Sequence, residues 1–359
     1  MRTLSLRELN RATLARQLLL RRHRLTPTRA IERTAGIQAQ WPPSPYVGLW
    51  ARLDAFRPEQ LMRAVTRRQV VKATLMRTTL HLVSAADYLT YAGIYRERRI
   101  AELQRQLEAL GEDADLAEEG ARLAALAAEE PRTRPELLAA LGRAKLRIED
   151  RRPWLVWYGL AAHAGLVNGP SSSAWRANTA GGTFVPARAW LGRDPAGGHA
   201  GAAHLVRRYL AAFGPASRRD IGQWTGLPLS ILDAGLERLV LRRFEDELGR
   251  ELLDLPRAPL PAADTPAPPR FLPRWDNLLL AHDVRTRVFT DEHRPVVVQR
   301  NGDIDETFLV DGFVAGQWSL EGGRVRLRPF APLPRVARRD VEDEARRLEA
   351  FLRASGHAT

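Results

Sequence analysis

The sequence has no cysteine, which excludes disulfides and thiolate metal sites and makes a reducing cytosol the natural compartment. No stretch approaches the roughly 20 apolar residues that a membrane-spanning helix needs. The N-terminal MRTLSLRELNRATLARQLLLRRH is rich in arginine, yet Glu8 and the short apolar run argue against an import or secretory signal, so it reads as a structural helix. A soluble, cytoplasmic protein is expected. Common chemical signatures are missing too. The 8 histidines are scattered without an HExxH pair, so His81, His163 and His282 read as ordinary polar or buried residues and no metal is expected. Neither GxGxxG nor GxxxxGK[ST] occurs, AGGTF and PAGGHA read as turns, and no nucleotide or other cofactor is expected. Ser171–Ser173 lack a nucleophile elbow, which leaves a serine triad without support.

What is present begins with charge. In 359 residues, 55 Lys and Arg stand against 42 Asp and Glu, a net +13, and 45% hydrophobic residues are enough to fill the cores of several domains. Such a surplus favours a polyanionic partner, most often nucleic acid, because each contacted phosphate releases counterions. Arginine used only for solubility is the competing reading of the same numbers. The 9 tryptophans fall mostly at helical spacing, as at Trp154 and Trp157 beside Tyr158, where core packing explains them.

Along the chain, capped helices alternate with short strand-like runs. Ser5 with Glu8 forms a capping box, Thr26 with Pro27 starts a second helix, and Thr133 starts another. TLMRTTLHLV (74–83) reads as a strand between helical patterns, and SSSAWRANTAGGTFVP (171–186) as a turn-rich hairpin. Residues 203–255 are the clearest unit: three helices, the second capped by Ser217 with Asp220, then a hairpin, the order of a winged helix-turn-helix. The same order recurs less cleanly upstream. The expected class is mainly α with β wings (α+β): winged units at 1–125 (with a helical extension), 126–198 and 199–256, then a Pro/Ala-rich connector at 257–270. Residues 271–359 read as a small antiparallel β-domain, with turns at Asn301-Gly302, Asp311-Gly312 and Gly322-Gly323. A final helix follows, striped by Val341, Ala345, Leu348 and Phe351.

Within AGIQAQWPPSPYVGLW (35–50), Gln38 and Gln40 can share one side only if the chain is extended there. Pro42 pushes Trp41 out of the α region, and Pro43 and Pro45 are expected to hold the following chain out of helix, which places the helix exit near Gln38 or Ala39. On residue type alone the pair is as well explained by a loop tying down its own backbone. A non-catalytic winged-helix regulator, or a scaffold with vestigial winged helices, fits the same pattern.

GIQAQWPPSPYVGLWARL, LMRTTLHLV, FLPRWDNLLLAHDVRTRVF and FLVDGFVAGQW, in this order, resemble the AlkZ-type tandem winged-helix DNA glycosylases, the self-resistance enzymes of azinomycin-like alkylator producers. At the Gln-x-Gln block the likeness is strong enough to expect the family's founding member or a near relative. The resemblance implies a monofunctional enzyme that excises N7-alkylated purines, including guanines in interstrand crosslinks, from double-stranded DNA without metal or cofactor. It also implies three units around a basic concave face, acting as a monomer. The family's catalytic pair carries over to Gln38 and Gln40; relatives with Asp at the second position have a carboxylate that this chain lacks. Trp41, Ser44, Arg77, Thr78, His81, Arg274 and Arg285 are candidate DNA contacts, with a strand of the first wing as the structural alternative for Arg77, Thr78 and His81. Asp276 reads as an anchor. The chemistry tolerates two amides, because a base already charged at N7 leaves with little protonation. What remains is to steady an oxocarbenium-like sugar and orient a water. Because a crosslinked guanine stays tethered to the other strand, access without full base flipping is expected.

Overall fold

A computed structural model describes residues 1–111, 116–141, 153–177 and 182–356. The chain opens with β1 (Arg2–Leu4), ahead of the expected helix α1 (Leu6–Arg16). Ser5 accepts from the Glu8 N–H while the Glu8 carboxylate accepts from the Ser5 N–H at 2.9 Å, so two otherwise unpaired donors are satisfied at once. Helix α2 (Pro27–Arg33) starts at the Thr26 cap with Pro27 in its first turn, where a missing N–H costs nothing. Then come β2 (Ile37–Gln38), α3 (Ser44–Arg52), α4 (Pro58–Thr66), β3 (Val70–Thr74), β4 (Leu80–Ser84) and the long α5 (Ala85–Glu108).

The second stretch contains α6 (Ala117–Glu129), β5 (Arg132–Thr133), α7 (Arg134–Ala140, capped by Thr133 and Glu136), α8 (Pro153–His163), β6 (Leu166–Asn168), β7 (Thr183–Pro186) and α9 (Ala187–Leu191). β6 and β7 pair antiparallel, but the first strand lies ahead of the stretch 171–186 expected to form the hairpin, which begins in the helical turn Pro170–Ser173 and supplies only β7; its residues 178–181 lie outside the described residues. Six strands from these two stretches form one antiparallel sheet, ordered β2-β4-β3-β6-β7-β5, with β2 at its edge.

The third stretch follows the expected order: α10 (Gly198–Phe213), α11 (Arg218–Thr225), α12 (Leu229–Leu236), β8 (Arg242–Asp246) and β9 (Glu251–Asp254), with α11 capped by Ser217 and Asp220. β1 adds to this hairpin in parallel, pairing Arg2 with Phe244, and so locks the N-terminus onto it. Trp224, Tyr209 and Phe213 form a buried aromatic cluster beneath α10 and α11.

After the connector, β10 (Arg270–Leu272), β11 (Thr307–Val310), β12 (Phe313–Glu321) and β13 (Arg324–Pro329) form a four-stranded antiparallel sheet. Its tight turns are Asp311-Gly312 (φ 48° and 84°) and Gly322-Gly323 (φ 56° and 73°), with the positive φ at both central residues that two-residue hairpins need. Gly312 is also forced by packing: a Cβ there would meet Asn10 Oδ1 at 2.5 Å and Leu14 Cδ1 at 2.6 Å on α1. Ahead of the turn at Asn301-Gly302 the segment RPVVV is not a strand of the β-domain but a helical turn, α13 (Arg294–Val297), because Pro295 suits a first helical turn and cannot serve a ladder. The closing helix α14 (Arg335–Ala354) buries Val341, Ala345, Leu348 and Leu352, and Phe351 stacks on Trp50 at 5.9 Å. Asp276 is the expected anchor: both its oxygens accept from Arg52 at 2.8 Å in a buried pair. Removing either partner strands a buried charge and costs about 3–5 kcal/mol. The result is a mixed α/β fold with three sheets, its largest core continuous from Leu14 to Leu352.

Candidate active site

The turn that aims the glutamines lies upstream of the prolines. Helix α2 ends at Arg33, five residues before the exit expected near Gln38, because Ala35 (φ 59°) and Gly36 (φ 96°) take left-handed conformations that close it. Gly36 is needed, since a Cβ would lie 3.0 Å from Val83 Cγ1 and 3.2 Å from the Leu82 carbonyl. The chain then runs extended into β2, where Gln38 sits opposite His81 and the Ala39 N–H donates to the Leu80 carbonyl at 2.7 Å. Extension through Ala39 puts Gln38 and Gln40 on the same side of the strand. The prolines do not keep the chain from helix. Pro43 is the N-cap of α3 and Pro45 sits in its first turn.

Gln38 is buried and Gln40 exposed. The Arg77 guanidinium donates to Gln38 Oε1 at 2.8 Å and to the Trp224 carbonyl at 2.9 Å. Arginine only donates, so the oxygen of the Gln38 amide must face it and the NH2 must point away. Gln40 Oε1 accepts from the Leu80 N–H at 3.2 Å. Both amide oxygens are thus held by a donor, and each keeps a second lone pair.

Arg77 and Thr78 are not within a strand. They form the turn Met76–Thr78 between β3 and β4, at φ 52° and 58°. Arg77 is largely buried and Thr78 is exposed at the tip. Burial, chiefly, pulls the Arg77 pKa down to about 10, with the charge of nearby Arg285 adding to it, so the group stays cationic at neutral pH. His81 is fully buried, which leaves it no path to a phosphate at the surface. Its Nδ1 lies 3.1 Å from the Thr79 carbonyl, which makes that nitrogen the donor, while Nε2 has no hydrogen-bond partner among the described residues. Burial first and the charge of Arg77 second push its pKa down to about 3, so it is neutral and too weakly basic to activate water.

The remaining sequence-predicted residues fall in two places. Arg285 belongs with Arg77: it is half-buried, and its Nε and Nη1 are enclosed with no hydrogen-bond acceptor among the described residues. Trp41, Ser44 and Arg274 meet in a separate cluster. Ser44 Oγ donates to the Arg274 carbonyl at 3.0 Å, and the Arg274 guanidinium stands 5.8 Å from the Trp41 ring, 3.4 Å from Asp305 and 3.7 Å from Asp303. Trp224, the Leu80 N–H, Trp175, Glu306 and Trp318 also belong to these surroundings and were not singled out from sequence. Two act through backbone atoms, which no side-chain pattern encodes. His282, like His81, is buried and neutral, its pKa pushed down to about 3 by burial. Among the described residues no three His, Asp or Glu side chains gather as a metal would require.

A family model described as DNA glycosylase AlkZ-like matches residues 31–351. An interstrand DNA cross-link repair glycosylase of Streptomyces sahachiroi is 26% identical over 378 residues, covering 95% of this chain and 94% of that protein. The solved structure of the Streptomyces sahachiroi DNA glycosylase AlkZ shares the fold, with a TM-score of 0.82, 24% identity, and coverage of 99% of this chain and 98% of that one. These identities make it a distant relative, not the near one expected from the Gln-x-Gln block. The match spans most of the chain, and with it the regulator and scaffold readings fall away: this protein belongs to the AlkZ-like DNA glycosylase family and is an enzyme that hydrolyses N-glycosyl bonds in DNA.

Proposed function

We propose that the chain is a monofunctional glycosylase that excises N7-alkylated purines from duplex DNA, including guanines tied into interstrand crosslinks, with Gln38 and Gln40 as its catalytic pair. One observation carries this reading. Both amides are held in place, neither is hydrogen-bonded to a carboxylate among the described residues, and the only imidazole in their ladder is neutral with a pKa of about 3. Such a site neither protonates a leaving base nor strongly activates water. A purine alkylated at N7 asks for neither: the C1′–N9 bond pair passes to the cationic ring, which leaves neutral, while water adds to C1′ and releases its proton to solvent. Unmodified guanine, with a poor leaving group, should remain untouched.

Other features agree. The sequence has two lysines, of which Lys72 shares a sheet face with Leu82 and Ile37, opposite that of Gln38 and His81, and donates to the Ser172 carbonyl at 2.6 Å. Lys72 is therefore badly placed for a Schiff base, and Lys145 lies outside the described residues. Arg285 and Arg77 put two cations beside a neutral pair, and a backbone phosphate next to the lesion supplies the missing counter-charge. Exposed Trp41, with Arg274 and Ser44 beside it, and exposed Thr78 next to Arg77 complete the contact surface. We read the scaffold as three tandem winged helices, at 1–125, 126–198 and 199–256, around a basic concave face. The first two share the six-stranded sheet, the connector at 257–270 leads to the β-domain at 271–359, and the protein acts as a monomer.

The test is a duplex carrying one N7-alkylguanine, incubated with excess enzyme and treated with alkali. Strand breaks at the lesion are expected from the wild type and none from Gln38→Ala/Gln40→Ala. Intact strands with the wild type would refute the substrate assignment, and undiminished cleavage by the double variant would refute the site.

A further inference from the structure

Just past Gln40 the chain forms the rim of a hollow. Trp41, Val47, Trp175, Pro273, Trp318 and Glu306 enclose about 340 Å³, at the small end of the range that ligand pockets occupy. Three indoles line it, brought from α3's approach, from the segment before β7 and from β12. Trp318 is fixed, donating its Nε1–H to the Leu272 carbonyl at 2.9 Å, whereas Trp41 is 41% exposed and lies at the mouth. The one carboxylate in this wall is Glu306. Its neighbours Asp303 and Asp305 pair with Arg274, but Glu306 forms no ion pair or side-chain hydrogen bond with another described residue. Burial raises its pKa while the nearby Arg274 opposes that rise.

Indole faces accept flat rings and attract positive charge, and a carboxylate without a partner adds a fixed negative charge. We propose that this hollow is the receptor for an untethered N7-alkylated purine, swung out of the helix and recognised as a planar cation; a crosslinked guanine, held by the other strand, is processed without entering it. The assignment rests on the substrate reading above and names the part of the protein that selects it. It also sets a boundary on what Glu306 does. The positive charge sits on the ring in the bound substrate and moves to the sugar as the C1′–N9 bond breaks, so a carboxylate beside the ring favours the ground state. Glu306 therefore supports binding and selection without lowering the barrier, and its hold disappears once the neutral base has left.

The experiment measures kcat and KM on a duplex carrying 7-methylguanine for the wild type, Glu306→Gln and Trp41→Ala, together with quenching of tryptophan emission by free 7-methylguanosine and by guanosine. Glu306→Gln is expected to raise KM about tenfold with kcat unchanged or higher. 7-Methylguanosine should quench the wild type more strongly than Trp41→Ala, which keeps Trp175 and Trp318, and guanosine should quench neither. A normal KM in Glu306→Gln, a fall in kcat at normal KM, or equal quenching by the two nucleosides would overturn the proposal. If the wild type does not cleave this duplex, the substrate reading fails first, and quenching selective for the cationic nucleoside still decides whether the hollow binds it.

Discussion

Arg77→Met separates what this site needs for stability from what it needs for catalysis. The methionine replaces a buried guanidinium by an apolar chain of similar length. The native charge is expensive to bury: depression of its pKa from 12.5 to about 10 amounts to about 3 kcal/mol against the charged form. Against this stand two charge-assisted hydrogen bonds, to Gln38 Oε1 at 2.8 Å and to the Trp224 carbonyl at 2.9 Å, each worth roughly 1.5–3 kcal/mol. Losing 3–6 kcal/mol of bonding while recovering about 3 leaves a net destabilisation of about 0–3 kcal/mol, within the tolerance of a folded domain. Catalysis has no such compensation. Without its donor, the Gln38 amide is free to rotate, and in the catalytic role proposed for it a misplacement of about 1 Å is worth on the order of 100-fold in rate. The assay pairs urea denaturation with single-turnover excision of 7-methylguanine. The expected result is a modest midpoint shift with excision slowed at least tenfold. Excision within threefold of wild type in a folded Arg77→Met protein would refute the claim that Arg77 positions Gln38.

Two further outcomes follow from the electrostatics. Arg285→Ala should weaken binding to any duplex and lower the slope of log affinity against log salt by about 1, measured by fluorescence anisotropy; an unchanged slope would remove Arg285 from the phosphate contacts. His81 and His282 are buried with pKa values near 3, below the 6.5 of an unfolded histidine, so between those limits the unfolded chain binds the extra protons. Their contribution is fully present above pH 6.5 and is lost as pH falls, about 2 kcal/mol per histidine at pH 5. Denaturation midpoints at pH 7 and 5 should therefore differ sharply, and His282→Gln should remove close to half of that difference.

How far these features were legible in the sequence depends on the range of the interaction. Ser5 with Glu8, Thr133 with Glu136 and Ser217 with Asp220 announce their helices because a capping box is closed within four residues. The turn at Asp311-Gly312 is equally local. The exit before Gln38 was misplaced because the residue that begins it, Ala35, is left-handed at φ 59°, a conformation that alanine rarely adopts and composition does not signal. Arg77 and Thr78 were hidden in the same way, their alternating neighbours reading as one strand. The parallel pairing of β1 with β8 joins segments some 240 residues apart, and nothing in RTL specifies it. Glu306 and Trp318 lie near each other in sequence, but Trp41 and Trp175 reach the same hollow only through the fold.

The two glutamines therefore occupy unequal positions despite their symmetry in the sequence. Gln38 is buried with its oxygen fixed on a cation, so what it offers outward is the NH2, a donor suited to sugar or phosphate oxygens. A carboxylate at that position would be paired with Arg77 at once and would gain little basicity. Gln40 is exposed, its oxygen steadied by the Leu80 N–H with a lone pair left over, which suits it to hold a water. A carboxylate there would face no buried guanidinium. On the proposed reading, the neutral amide there restricts the enzyme to bases that leave unaided. On that reading, selectivity against ordinary guanine and release of a charged lesion have one origin, the acid–base power that the pair withholds.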